Sequence, residues 1–430
     1  MLSFFKSLIP KKVLDCFRPS YHFFLSFLGA VIYGFPSKKL FVIGVTGTKG
    51  KSTTVELLTA TLGVAGHKVA STSTIKFSID NEVKRNKHKM TMPGRLFMQK
   101  FLSEAVKKNC THAVLEMTSE GARQYRHAFI DMDALIFLNL SPEHIESHGS
   151  YEKYKQAKLS LARSLEKSSK TKRFVIVNSD DKESKDFLSV NVEEKNSFSL
   201  KQAEKLVEGE DGISFVYKGE HIVSSLRGKF NASNICAVLQ AAECFGIPPS
   251  VTKRAVALTE TVEGRGEEVR VSRDQPFKVY VDYAHTPDSL EKLYEAFKET
   301  KVCVLGGTGG GRDVWKRPEM GKIADKFCEH IILTNEDPYD ESLEKIVEDI
   351  KRGINNKTPE VIMDRRAAIS EGLKKALKIS LKNKSVSVLV TGKGTDPYIM
   401  GPRGQKEPWS DVRVVAEELG KLLRTSSDKK

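Results

Sequence analysis

The stretch Leu40 to Thr54, LFVIGVTGTKGKSTT, constrains this chain more than any other. Leu40 to Val45 is an unbroken apolar, β-branched run that suits a buried strand, and Thr46 to Lys51 is a glycine-rich turn that opens a helix at Ser52. A strand, a glycine turn and a helix in that order make a phosphate-binding loop. Gly47 and Gly50 let successive backbone N–H groups converge on phosphate oxygens, and the helix N-terminus adds partial positive charge. Lys51 reaches the terminal phosphates, and the Ser52 hydroxyl is a ligand for Mg²⁺. Thr46, Gly47, Thr48, Lys49, Gly50, Lys51, Ser52 and Thr53 are therefore the candidate nucleotide contacts. One position departs from the strict pattern: Val45 stands where the first glycine belongs, flanked by Gly44 and Gly47.

A chain of 430 residues has room for two or three domains, each with its own core. From residue 40 to about 180 strand-like and helical stretches alternate. Strands are expected at Leu40 to Val45, His112 to Met117, Ala134 to Leu138 and Phe174 to Val177, with helices at Ser52 to Leu62, Arg95 to Lys107 and Tyr151 to Leu165. That alternation predicts an α/β domain with a parallel sheet covered by helices. Short alternating runs such as Ile213 to Tyr217 suggest an antiparallel excursion before a helix at Asn231 to Phe245. A second alternation over the last third, with its own glycine loop, predicts a separate Rossmann-like α/β domain. The expected organisation is a short apolar segment at 1–36, a central ATP-binding domain at 37–257, a C-terminal domain at 258–424 and a tail at 425–430.

Six cysteines contain no C-x-x-C pair, which fits a reducing cytosol with no disulfide framework and no zinc site. The net charge of +14 comes from scattered basic residues without interleaved aromatics, so it reads as attraction to anionic small molecules or a membrane surface rather than to nucleic acid. The longest apolar run, Phe23 to Phe35, is shorter than the roughly 20 residues a spanning helix needs. It is either an interfacial anchor, giving residues 1–36 a peripheral membrane or protein contact, or a short helix packed on the ATPase core.

Ligands in open α/β sheets gather at the carboxyl ends of the strands. Glu116 ends the run HAVLEM, and His144 and His148 follow ALIFLNL, so an acid and a histidine at adjacent strand ends can share one Mg²⁺ with Ser52.

The string TGTKGKSTT resembles the nucleotide loop of the Mur ligases, the ATP-dependent ligases that build the peptide of bacterial cell walls. EMTSEGARQYR and NLSPEHIESHGSYEKYKQAK are similar to two strings of the members that add the third peptide residue to a UDP-N-acetylmuramoyl dipeptide. The resemblance implies that Glu116 and His144 hold Mg²⁺, that Thr91, Ser119, Gln124 and Arg126 hold the muramoyl peptide, and that Lys158 is the lysine the family carbamoylates with CO₂. A carbamate offers Mg²⁺ oxygen ligands where a protonated amine would repel it. Downstream, GKFNASN places Asn234 near the adenine, VEGRGEE places Arg265 on the ATP phosphates, and VDYAHTPDSL places Asp282 and His285 beside the nucleotide. GGTGGGRDVWKRPEMG, TNEDPYDE, DRRAAI and TGKGTDPY follow in family order, with Arg312 on the incoming amino acid and Gly392 and Asp396 near it.

Two departures matter. Only 39 residues precede the first strand, too few for the family's UDP-gripping domain, which is expected to be largely missing. Where members that add diaminopimelate have D-N-P-R, this chain has Glu336, Asp337, Pro338 and Tyr339. Losing the arginine that clamps a distal carboxylate favours an amino acid without one, such as lysine or ornithine. The expected reaction is amide formation through an acyl phosphate, with Lys51, Lys158 and His144 as the catalytic set, in a cytoplasmic monomer. A Mur-type ligase for a polyglutamate or storage peptide, and a nucleotide-gated binding module, remain alternatives.

Overall fold

The computed structural model describes residues 11–143, 148–311 and 313–427, and the chain divides into two compact units. Unit 1 comprises residues 1–204, 216–221 and 233–258, and unit 2 comprises 205–215, 222–232 and 259–430.

Unit 1 is built on eight strands: β1 (Phe41–Thr46), β2 (Val69–Thr72), β3 (Lys76–Ile79), β4 (Glu82–Arg85), β5 (His112–Met117), β6 (Ala134–Phe137), β7 (Phe174–Asn178) and β8 (Glu194–Phe198), in the order β4-β3-β2-β5-β1-β6-β7-β8. The apolar runs β1, β5, β6 and β7 are central and pair in parallel, because helices cover both faces and leave no side of these strands for water. The short β3, which buries Phe77 and Ile79, and the exposed β4 add an antiparallel edge that the sequence pattern does not announce. The helices are α1 (Lys11–Ile32), α2 (Lys51–Val64), α3 (Arg95–Lys107), α4 (Ser119–Arg123), α5 (Tyr151–Glu166), α6 (Ser184–Leu188), α7 (Lys229–Cys244) and α8 (Pro249–Leu258), and α7 begins in unit 2. Register fixes the site: Val45 lies opposite Glu116, and Thr46 lies opposite both Met117 and Phe137. Glu116 thus stands at a carboxyl strand end beside the mouth of the glycine loop.

α1 packs on α3 through its small residues, Ser26, Gly29 and Ala30, while Tyr21, Phe24, Leu28, Val31 and Ile32 face out. No helix among the described residues is long and apolar enough to cross a membrane.

Strands β9 (Glu204–Gly209), β10 (Gly212–Tyr217) and β11 (Glu220–Ser224) form a small meander through which the unit boundary runs. Its two-residue connections require antiparallel pairing.

Unit 2 has β12 (Glu267–Glu268), β13 (Lys278–Asp282), β14 (Thr300–Leu305), β15 (His330–Leu333), β16 (Glu360–Val361) and β17 (Val386–Thr391) in the order β12-β13-β17-β14-β15-β16, parallel except at β12, plus the hairpin β18 (Tyr398–Met400) and β19 (Lys406–Pro408). Alternate residues of β14 serve opposite faces. Cys303 and Leu305 meet α9 (Pro287–Glu295), α10 (Lys316–Phe327) and α11 (Leu343–Lys351), whereas Val302 and Val304 meet α12 (Arg365–Ser380) and α13 (Asp411–Ser427).

One sequence expectation is corrected here: Cys303 on β14 and Cys328 just after α10 form a disulfide, with Cα atoms 6.0 Å apart. A separation of 25 residues gave no spacing cue, and the pairing arises because α10 returns its C-terminus to the strand it covers.

Candidate functional site

The glycine loop of unit 1 is held by its neighbours. Gly50 caps α2 with φ 85°, and a Cβ there would overlap the Asn234 amide oxygen, so only glycine fits. That close approach brings Asn234 against the loop. Thr46 Oγ1 donates to the Met117 carbonyl at 3.1 Å, and the Thr48 and Lys49 amides both donate to Asn139 Oδ1. Thr48 Oγ1 lies 2.9 Å from the Tyr154 hydroxyl. Lys49 Nζ meets Glu143 at 2.9 Å, and Lys51 Nζ lies 2.9 Å from the Thr48 carbonyl of its own loop. Thr53 is buried in the first turn of α2.

Glu116 is the hub. Ser52 Oγ and the Thr74 amide both donate to its Oε2 at 2.8 Å, and Thr74 Oγ1 donates to Oε1 at 3.0 Å. Thr74 Oγ1 in turn lies 2.7 Å from Thr91 Oγ1. A hydroxyl and a carboxylate so placed are hard oxygen donors of the type Mg²⁺ takes, so the residues present fit that ion.

Lys158, on α5, is wholly buried and donates from Nζ to the Gly47 carbonyl at 2.6 Å. Burial pushes its amine well below the ordinary lysine range and the Lys51 cation adds to the effect, against the opposing pull of Glu143 and Glu116. The neutral amine is the form that attacks CO₂.

A second cluster in unit 1 joins the residues expected to hold a peptide acceptor. Arg95 and Arg126 converge on Gln124 Oε1 at 3.2 and 2.8 Å, and Gln124 Nε2 donates to Glu120. Arg126 also reaches the Met92 carbonyl, next to Thr91. Ser119 is buried at the start of α4, capped by Thr118. Burial, and secondarily Arg95, lowers the pKa of the Arg126 guanidinium. Two adjacent guanidiniums with one nearby carboxylate leave excess positive charge suited to an anionic ligand.

In unit 2, Asp282 accepts from the Gly266 and Ala284 amides at 2.6 Å each. The Arg265 guanidinium stacks 4.5 Å from the centre of the Tyr283 ring, and the His285 ring meets that tyrosine edge-on. The Gly392 amide donates to the Asp282 carbonyl, and a Cβ at Gly392, whose φ is 106°, would overlap Glu336. Glu336 is buried: Oε1 accepts from Thr308 at 2.7 Å, Oε2 has no hydrogen-bond partner, and burial raises its pKa. Asp337 accepts from buried Lys393 Nζ and from the Met400 amide, both at 2.7 Å, and Lys393 also reaches Asp396 at 3.4 Å. Tyr339 adopts φ 53° beside Gly310.

His144 and Arg312 lie outside the described residues. His148 is buried with its ring edge-on to Tyr154. Sequence reasoning assigned no role to Thr74, Asn139, Tyr154, Arg95 or Lys393. Asn139, Tyr154 and Lys393 fall inside strings that resemble the family, whereas Thr74 and Arg95 carry no local signal. Among the described residues, no group of three or more His, Cys, Asp or Glu side chains is arranged to hold a metal.

Comparison with known proteins gives two family matches: the Mur ligase middle domain over residues 45–242, and the Mur ligase, glutamate ligase domain over residues 264–394. Over 399 residues the chain is 35% identical to the UDP-N-acetylmuramoyl-L-alanyl-D-glutamate--2,6-diaminopimelate ligase of Aquifex aeolicus (strain VF5), covering 90% of this chain and 79% of that protein. It is 34% identical over 410 residues to the UDP-N-acetylmuramyl-tripeptide synthetase of Treponema denticola (strain ATCC 35405), covering 87% of this chain and 76% of the relative. A solved structure of a UDP-N-acetylmuramoyl-L-alanyl-D-glutamate--2,6-diaminopimelate ligase superposes with a TM-score of 0.60 at 27% identity, over 89% of this chain and 79% of that one. A Mycobacterium tuberculosis folylpolyglutamate synthase complexed with ADP shares the fold, with a TM-score of 0.69 at 15% identity over 90% and 95% of the two chains.

Proposed function

Because the chain belongs to the Mur ligase family, we propose that it is the ATP-dependent ligase that adds an amino acid to a UDP-N-acetylmuramoyl dipeptide in peptidoglycan synthesis. The observation that carries the reading is Glu116, whose carboxylate joins Ser52 of the phosphate loop to Thr74 and, through it, Thr91. ATP phosphates and acceptor peptide are thereby assigned to neighbouring sites.

In this reading residues 37–257 form the ATP-binding domain and 258–424 the domain for the incoming amino acid. The loop amides and Lys51 cradle the phosphates, with Asn234 beside them and Arg265, Asp282 and His285 as further nucleotide contacts. Ser52, Glu116, His144 and Lys158 are the metal set. Bound there, Mg²⁺ neutralises charge on the transferring phosphoryl group. With its amine pKa lowered by burial, Lys158 in its uncharged form makes an N–C bond with CO₂ and loses one proton, and the resulting carbamate brings oxygen donors to the site. Ser119, Gln124 and Arg126 hold the acceptor so that its carboxylate takes the γ-phosphoryl group and ADP leaves. The incoming amine, held by Arg312, then attacks the acyl carbon, phosphate departs and the amine loses a proton. Orientation supplies much of such catalysis.

Tyr339 in place of a guanidinium favours an amino acid without a distal carboxylate, lysine or ornithine. Asp337 is engaged by Lys393, which leaves Glu336 as the acid for a side-chain amine. The protein acts as a cytoplasmic monomer.

Mass spectrometry of a reaction with Mg-ATP, bicarbonate, UDP-N-acetylmuramoyl dipeptide and a pool of amino acids tests this. A product heavier by one residue is expected, and its mass names the amino acid. Absence of both product and ADP overturns the reading.

A further inference from the structure

The outer face of α1 has the composition of a lipid-facing surface. Tyr21, Phe24, Leu28, Val31 and Ile32 recur at helical spacing and point into solvent, with Phe24 60% and Tyr21 58% exposed. Of the five aromatic rings that stand out as exposed among the described residues, Tyr21, Phe23, Phe24 and Phe27 are on this helix and only Trp315 is elsewhere. Such concentration on one helix marks an interaction surface rather than ordinary surface scatter.

The opposite face is firmly attached. Ser26 Oγ donates to the Tyr125 carbonyl at 2.7 Å, Gly29 lets the helix lie close on Leu96 and Gln99, and the Phe23 and Phe27 rings pack on Phe129 at 5.0 and 5.4 Å. The helix is therefore held as part of unit 1 while its apolar stripe stays outside the core.

Charge decides the partner. The first 39 residues contain Lys6, Lys11, Lys12, Arg18, Lys38 and Lys39 against the single acid Asp15, a net +5 out of the chain's +14. Lys38 and Lys39 are exposed just beyond the C-terminal end of the helix, and Lys38 rests over the Phe35 ring at 5.4 Å. Aromatic and aliphatic side chains on one face, with cations just beyond the helix's C-terminal end, complement an anionic bilayer: rings enter the headgroup boundary and the cations meet lipid phosphates. The helix is too short in apolar residues to span, so it lies in the interface.

We propose that α1 is an interfacial helix that docks this protein on anionic lipid. The inference rests on the surface of α1 and not on the ligase reading. Docking has a local consequence, because Tyr125, the residue Ser26 holds, lies between Gln124 and Arg126 of the candidate acceptor cluster.

The test is co-sedimentation of the full chain with vesicles of phosphatidylcholine alone and of phosphatidylcholine mixed with phosphatidylglycerol. Binding at least tenfold tighter to the anionic vesicles is expected at low salt, weakening as salt rises. The double variant Phe24→Glu with Val31→Glu, at two exposed positions, is expected to lose at least tenfold in binding while keeping its thermal midpoint. Three outcomes overturn the proposal: no vesicle binding by the full chain, equal binding by the double variant, or a lipid-free dimer in sedimentation velocity that the double variant dissociates, which would make a second copy the occupant.

Discussion

Lys158→Met separates catalysis from stability. Methionine keeps most of the lysine's length and volume but cannot become a carbamate. On the stability side two effects oppose. The Gly47 carbonyl loses its donor at 2.6 Å, which costs about 1–3 kcal/mol. Against that, an amine no longer has to be buried, which returns about 1–3 kcal/mol. The net change is small, within about 2 kcal/mol. On the catalytic side the metal set loses a ligand, and loss of a metal partner costs about 10–100-fold or more. The pH profile of folding gives an independent signature. Burial lowers the amine pKa in the folded state, so the unfolded chain holds this proton more tightly. Between that lowered value and the ordinary lysine range near about 10.4, stability rises with pH by up to about 1.4 kcal/mol per unit, and below the lowered value the penalty is complete. The variant lacks this rise. Coupled-assay ADP release in the presence of acceptor and amino acid, with urea unfolding across alkaline pH, measures both effects. Activity within about threefold of wild type, or an unchanged pH slope, refutes the assigned role.

Arg365 and Asp411 form a fully buried bidentate pair at 2.8 and 2.7 Å, and Arg365 also donates to the Asn335 and Thr391 carbonyls. Arg365→Met strands a buried carboxylate and is expected to cost about 3–5 kcal/mol, read as an earlier urea transition, with Asp411→Leu added to it recovering most of the loss; a double variant no better than the single would show that the pairing is not the source. Burial holds His127 down to about 4, while the same imidazole in the unfolded chain titrates near about 6.5. The unfolded state therefore takes up the proton first, stability falls as pH drops from about 6.5 to about 4, and the loss reaches about 3 kcal/mol. His127→Leu should flatten that part of the curve in urea titrations, and an undiminished slope would assign the acid sensitivity elsewhere.

Much of the architecture was legible because β1, β5, β6 and β7 are continuous apolar runs, and such runs in alternation with helical stretches have few folds open to them. His112–Met117 and Arg95–Lys107 fall on the residues their patterns indicate. The hairpin β3–β4 was not legible, since its exposed outer strand, EVKR, carries no hydrophobic alternation. α1 was only half legible: its apolar content was evident, but which face it buries depends on the fit of Ser26, Gly29 and Ala30 against α3.

The sequence by itself determined the phosphate loop, the alternation of the central strands with their helices, and the residues able to act as donors and ligands, because these depend on local chemistry and short-range periodicity. Tertiary structure alone decided the rest. Parallel register sets Glu116 beside Val45 and so within reach of Ser52, and sheet packing places Thr74 between Glu116 and Thr91. Packing α5 against the loop buries Lys158 and pushes its amine pKa down, and the return of α10 to β14 joins Cys303 to Cys328. Each of these depends on the distance and dielectric between residues far apart in the chain, which no local pattern encodes.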